Sequence, residues 1–133
     1  MNTYTAEAKN IKISPRKMRL VVDGVKKMPI VSALAVLTTV NNRAGTPIKK
    51  VLESAVANAV HNGQVKKEDL FISEMFVGEG VMYKRYRFGS RGRVKPYKKR
   101  TSHIKVSLGV KESIKPVIAK KDEKGKEGVA KKK

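Results

Sequence analysis

The residues that could do chemistry in this chain are mostly cations. No acidic residue lies between Glu79 and Glu112, while Lys84, Arg85, Arg87, Arg91, Arg93, Lys95, Lys98, Lys99, Arg100, Lys105 and Lys111 are all basic. Four aromatics, Tyr83, Tyr86, Phe88 and Tyr97, interleave with them. Guanidinium and ammonium groups hold phosphates, and flat rings stack on unpaired bases or ribose faces. That combination recognises nucleic acid. The segment repels itself and has few aliphatic residues to bury, so alone in water it is expected to be extended. A plain solvated loop is the simpler reading, but the run is long, of one sign and studded with aromatics. A membrane surface fits less well, because Gly89, Gly92 and Pro96 break any amphipathic helix and no wide apolar face exists to insert.

Catalytic chemistry finds little to work with. His61 and His103 are the only histidines and stand in no metal-ligand spacing; there is no cysteine to complete a site. Glu68-Asp69 and Asp122-Glu123 are the only adjacent acidic pairs. The first could hold a metal at a strand start, but such a pair in a turn is ordinarily solvated. No phosphate-binding loop motif occurs, and Gly89 and Gly92 have no strand–turn–helix context. No nucleophile, base and orienting group can be named together. The expectation is a protein that is not an enzyme, with no cofactor, metal or small-molecule substrate.

The 133 residues suffice for one domain of ordinary size, and a 40% hydrophobic fraction supports a modest core. Lys and Arg number 31 against 11 Asp and Glu, a formal net charge of +20. Self-repulsion on this scale disfavours a compact free chain and favours a polyanionic partner. No run approaches the roughly 20 apolar residues of a membrane helix. The start, Met1 to Glu7, has neither the charged nor the apolar region of a signal peptide. These features predict a cytosolic protein with no membrane partner.

The elements that must position the basic stretch can be read from periodicity. Tyr4 to Ile13 reads as a strand. Ser14-Pro15 supplies a helix cap and a first-turn proline, and Met18, Val21, Val22 and Val25 form the apolar stripe of a helix from Pro15 to about Lys27. Arg16, Lys17 and Arg19 in its first turn oppose the helix dipole, so an anion at that helix start would explain them. A short second helix runs from Val31 to about Val40, with Leu34, Leu37 and either Val36 or Val40 inward. Thr46-Pro47 reads as the cap of a third helix, followed by Lys49 and Lys50. Ile48, Val51, Leu52, Ala55, Val56, Ala59 and Val60 hold its period until Asn62-Gly63. Ser54, Asn58 and Asn62 form a polar stripe, either solvated or hydrogen-bonding to a ligand backbone.

Leu70 to Val77 reads as an apolar strand, and Ile104, Val106, Leu108 and Val110 alternate with polar or small residues as a half-buried one. An antiparallel pairing of these two makes the basic stretch the distal part of a long hairpin. With about ten residues per side it would reach on the order of 30 Å. Gly89-Ser90-Arg91-Gly92 is the natural tip. Pro96 removes a ladder donor and predicts an irregular returning limb. The Lys-rich residues 113–133 have the composition of a disordered basic tail.

Three stretches, in order, resemble one family, the bacterial large-subunit ribosomal protein conventionally numbered twenty-two. Ser14-Pro15-Arg16-Lys17-Met18-Arg19-Leu20-Val21 is similar to its first-helix motif. Ser54 to Asn62 is similar to its third-helix motif, and Lys84-Arg85-Tyr86-Arg87, Gly92-Arg93 and Lys99-Arg100-Thr101-Ser102-His103-Ile104 are similar to its arm. The resemblance spans roughly Thr5 to Val110. Phe88-Gly89, where the family often has Pro-Arg, and Lys95-Pro96-Tyr97 depart from its pattern.

The resemblance implies an α+β fold: a three-stranded antiparallel sheet with three helices packed on it, a protruding basic hairpin and the tail. It implies one rRNA-binding domain at 1–112, with the arm at about 81–103. Its implied partners are several domains of the large-subunit rRNA, neighbouring proteins at the peptide exit tunnel and, by proximity, the nascent peptide. Residues then expected to hold rRNA are Arg16, Lys17, Arg19, Lys49, Lys50, Lys84, Arg85, Arg87, Arg91, Arg93, Lys98, Lys99, Arg100 and His103. Phe88, Gly89, Ser90, Arg91, Gly92 and Arg93 would form the tunnel-lining tip. Two other readings compete: an architectural DNA-binding protein or nucleic-acid chaperone with its arm in a minor groove, and an RNA-processing enzyme using His103 as general base.

Overall fold

A computed structural model describes residues 3–110; the basic tail expected at 113–133 lies outside the described residues. The elements are β1 (Thr3–Ile11), α1 (Pro15–Val25), α2 (Ile30–Thr39), α3 (Gly45–Gly63), a 3-10 turn (Lys67–Asp69), β2 (Leu70–Phe88), a tight turn (Ser90–Gly92) and β3 (Val94–Val110). The strands form one antiparallel sheet in the order β1-β3-β2. The fold is α+β, as expected.

The core forms because three strands bring their apolar residues to one face. Ile104, Val106 and Leu108 of β3 are fully buried. Their partners in β1 are Ala8, Ala6 and Tyr4. Their partners in β2 are Val77, Met75 and Ile72. The β2 set breaks strict alternation, since Ile72 and Met75 are an odd number of residues apart. An extra residue near Ser73, where the register shifts between Ile72 and Glu74, restores the parity. This bulge lets both halves of the apolar run face the helices.

Against that face lie the stripes of α1 (Met18, Val21, Val22, Val25) and α3 (Ile48, Val51, Leu52, Ala55, Val56, Ala59). Ala55 and Ala59 are completely buried, and their small size lets α3 sit close to the sheet. Asn58, on the expected polar stripe of α3, donates its side-chain amide to the Thr5 carbonyl at 3.0 Å and ties the helix to β1. Ser54 and Asn62 are exposed.

Four expectations need correction. Helix α1 stops at Val25, two residues short of Lys27, with Lys26 as its C-cap. In α2 the inward residues are Ile30, Ala33 and Leu37; Leu34 and Val36 are half-buried and Val40 is exposed. Thr46 does not cap α3. The helix begins at Gly45, two residues before Pro47, with Ala44 as its N-cap, and Asn42 organises the approach: its side-chain oxygen accepts from the Ala44 N–H at 3.1 Å and its carbonyl from the Gly45 N–H at 2.8 Å. Pro47 is accommodated because first-turn N–H groups have no intrahelical partner. Finally, Pro96 causes no irregularity: it pairs with Tyr86 in an unbroken register from Met82↔Arg100 to Phe88↔Val94. A two-stranded ribbon leaves alternate N–H groups facing solvent, and there a proline is tolerated.

The irregularities lie instead at the base of the arm. β1 shifts register between Ala8 and Ile11, with Asn10 at φ 56°, and β2 shifts between Glu79 and Met82. Both bulges face residues 101–104 of β3. The His103 Nδ1 accepts from the Asn10 backbone N–H at 3.0 Å, and the Thr101 hydroxyl donates to the Val81 carbonyl at 2.7 Å. Gly80 is required here, because a Cβ would collide with the Thr101 hydroxyl. Ser102, fully buried, donates to the Ile13 carbonyl at 2.9 Å and fixes the loop that leads into α1. Bulges bend strands and increase twist, so these two set the direction in which the ribbon leaves the body.

Candidate nucleic-acid interface

Beyond the second bulge the ribbon has no core. Every residue from Val81 to Arg100 is exposed except Gly89, which is half-buried. Cross-strand partners share a face, so the register divides the arm into two surfaces. One carries Tyr83, Arg85 and Arg87 opposite Lys99, Tyr97 and Lys95. On it Arg85 lies 5.9 Å from the Tyr83 ring centroid and Arg87 lies 5.0 Å from that of Tyr97. These cation–π contacts hold rings and guanidinium groups side by side without an acidic partner. The other surface pairs Met82, Lys84, Tyr86 and Phe88 with Arg100, Lys98, Pro96 and Val94. It is basic near the body and apolar toward the tip, where Phe88 is 92% exposed.

The tip is a tight turn. The Arg93 N–H reaches the Ser90 carbonyl at 3.4 Å, and the Gly89 N–H donates to the Arg93 carbonyl at 2.6 Å. Arg91 (φ 56°) and Gly92 (φ 69°) both occupy the left-handed region, the requirement of a type I′ turn. Glycine satisfies it freely; Arg91 does so at a cost of roughly 1 kcal/mol. The expected tip residues Phe88, Gly89, Ser90, Arg91, Gly92 and Arg93 are thus adjacent in space as well as in sequence.

Not every candidate projects its charge outward alone. Arg16 and Lys17 are exposed at the start of α1, where Ser14 caps through its carbonyl, which accepts from Lys17 and Met18, while its side chain makes no capping bond. Arg19 instead donates to the Val77 carbonyl at 3.3 Å, pinning α1 to β2. Lys49 is 3.8 Å from Glu53 on the next turn, whereas Lys50 is exposed. His103 is engaged with Asn10 through one ring nitrogen. The arm cations stand on the core-free ends of β2 and β3, whereas Arg16 and Lys17 stand on α1 of the body.

One neighbour was hidden from sequence reading. Lys12 sits in the loop fixed by Ser102 and lines a cleft with Tyr83, Arg85, Lys99 and Thr101 at the arm's base. In the sequence it shows only as the polar residue between Ile11 and Ile13. Its nearness to the arm depends on the Ser102–Ile13 bond, which joins positions 89 residues apart. Among the described residues, no group of three or more His, Cys, Asp or Glu could hold a metal, and no helix is long and apolar enough to cross a membrane.

Residues 6–109 match the family model of ribosomal protein L22p/L17e. The chain is 42% identical over 111 residues to the large ribosomal subunit protein uL22 of Lactobacillus gasseri, covering 84% of this chain and 95% of that protein. It is 45% identical over 106 residues to the uL22 protein of Lactobacillus delbrueckii subsp. bulgaricus, covering 80% and 91%. Both relatives carry names of ribosomal proteins and not of enzymes, in keeping with the expected lack of catalysis. With the matched region running from β1 almost to the end of β3, the chain belongs to the ribosomal protein L22p/L17e family.

Proposed function

We propose that the chain is a structural constituent of the large ribosomal subunit, working in the cytoplasm, that binds the subunit's rRNA and extends its arm to line the peptide exit tunnel. The observation that carries this reading is the arm itself. Twenty consecutive residues, Val81 to Arg100, contribute nothing to the core and carry nine cations and no acid. A ribbon like this is marginal in water. Surrounded by phosphates, its repulsion becomes attraction.

The mechanism is positional. Arg85, Arg87, Lys95 and Lys99 on one surface neutralise phosphates, while Tyr83 and Tyr97 beside them offer stacking planes for unpaired bases. Lys84, Lys98 and Arg100 do the same on the opposite surface near the body. Arg16, Lys17 and Lys50 give the body its own phosphate contacts, so body and arm engage different rRNA segments and fix their relative placement. Lys49 and Arg19 contribute less, because Glu53 and the Val77 carbonyl already engage them. Phe88 to Arg93 form the tunnel-facing tip, beside neighbouring ribosomal proteins and the passing nascent peptide. By holding several rRNA domains together, the protein supports subunit assembly and translation.

Hydroxyl-radical footprinting of large-subunit rRNA tests this. The full chain is expected to protect several separated stretches, and removal of Tyr83–Lys99 is expected to abolish only some of them. Identical protection with and without the arm would refute the threading role.

A further inference from the structure

We propose that the cleft where the arm leaves the body is a subsite for one unpaired RNA nucleotide, with Lys12, Arg85 and Lys99 on its phosphate and Tyr83 stacked on its base. The subsite presupposes the RNA-binding reading above and deepens it by naming the unit bound and the place. The cleft measures about 230 Å³ and is built from three elements. Lys12 comes from the loop after β1, Tyr83 and Arg85 from β2, and Lys99 and Thr101 from β3.

Its lining contains three cations, one phenol ring and one threonine hydroxyl, and no carboxylate. Three like charges turned toward one concavity repel unless an anion joins them. Tyr83 is 44% exposed and the Arg85 guanidinium lies over one face of its ring, 5.9 Å from the centroid, so a base would stack on the face that Arg85 leaves. Phosphate-binding cations next to a free aromatic face are the minimal site for a nucleotide presented single-stranded.

The site is also held in place. Thr101 is buried and its hydroxyl is committed to the Val81 carbonyl, which fixes the floor. Ser102 holds the Ile13 carbonyl, and half-buried Ile11 and Ile13 pack against the core on either side of Lys12. Lys12 is exposed between them and belongs to the body, not the arm. If the cleft holds one nucleotide, Lys12 and Tyr83 act on the same ligand, and their substitutions couple.

The test uses the full chain and large-subunit rRNA, comparing Lys12→Gln, Tyr83→Leu, Tyr83→Phe and the Lys12→Gln/Tyr83→Leu double variant. Lys67→Gln, exposed and remote from the cleft, controls for loss of one charge. Tyr83→Leu is expected to weaken binding about tenfold, within the range of base–aromatic stacking, and Tyr83→Phe to restore it. Lys12→Gln is expected to weaken binding several-fold more than Lys67→Gln and to lower the log–log salt slope by about 0.7. The double variant should lose less than the product of the single losses, because one nucleotide engages both residues. Ultraviolet cross-linking should join Tyr83 to a single nucleotide. Tight wild-type binding with equal effects of Lys12→Gln and Lys67→Gln, or Tyr83 cross-links scattered over many nucleotides, would overturn the subsite while leaving rRNA binding intact. Failure of the wild-type chain to bind at all would overturn the RNA-binding reading itself.

Discussion

Replacing Tyr83–Lys99 by an Asn-Gly turn between the cross-strand partners Met82 and Arg100 should leave the body folded and nearly as stable as before. The magnitude follows from where the buried residues are. Among the described residues, every buried core residue lies between Met18 and Val77 or between Ile104 and Leu108, and the half-buried residues packed on them lie outside the arm too. The excised segment contains none of them, so the hydrophobic contribution lost is small. Asn-Gly closes a two-residue hairpin with the twist the strands need. The excision also removes eight cations and no acid, lowering the net charge from +20 to +12. Less self-repulsion offsets the lost ladder, particularly at low salt. The net change should stay within about 1 kcal/mol, a shift in melting temperature of less than about 8 °C for a domain of this size. The assay is thermal melting followed by far-UV circular dichroism, with rRNA binding measured across salt concentrations alongside. The log–log salt slope should fall by up to about 6 if each lost cation neutralised a phosphate. Loss of the helical signal, or a fall in melting temperature well beyond 8 °C, would refute the separation of arm from body.

Three further substitutions probe the geometry. Arg91→Gly relieves a left-handed arginine and should stabilise the tip by roughly 1 kcal/mol, slowing hydrogen exchange at the Gly89 and Arg93 amides; faster exchange would contradict the turn assignment. Gly80→Ala drives a Cβ toward the Thr101 hydroxyl and should cost about 1–3 kcal/mol in denaturant unfolding, as overpacking does. Ile104→Ala, fully buried between Ala8 and Val77, should cost about 2–5 kcal/mol in the same experiment. Surface-like losses at Ile104 would mean that the sheet does not pack as described.

Much of this fold was legible because its signals are local. Met18 to Val25 and Ile48 to Val60 carry helical periods that burial then rewards, and Ile104 to Val110 alternates as a half-buried strand should. The tip was legible from Gly89 to Gly92, since few residues tolerate a tight reversal. The arm was legible from charge, because a run of cations with no aliphatic partners cannot be core. What escaped depended on contacts between distant residues. The bulge near Ser73 shows up only once Ile72 and Met75 must face the same helices, and the break at Gly80 exists to clear Thr101. Thr46 looked like a cap because Thr46-Pro47 repeats the Ser14-Pro15 pair; α3 starts instead at Gly45 with Ala44 as its N-cap, and Asn42 only holds the backbone that leads into it. Arg19 looked like a phosphate ligand, and no pattern within α1 could reveal the Val77 carbonyl beside it. Lys12 was invisible for the same reason, since its place at the arm's base is set by Ser102.

The most direct test of rRNA anchoring through the arm is sedimentation of the tagged protein from cell lysate through a high-salt sucrose gradient, with the Tyr83–Lys99 excision run in parallel. The full chain should migrate with the large ribosomal subunit, and the shortened chain should be partly stripped to the top. Migration of the full chain at the top of the gradient, or with DNA, would contradict it.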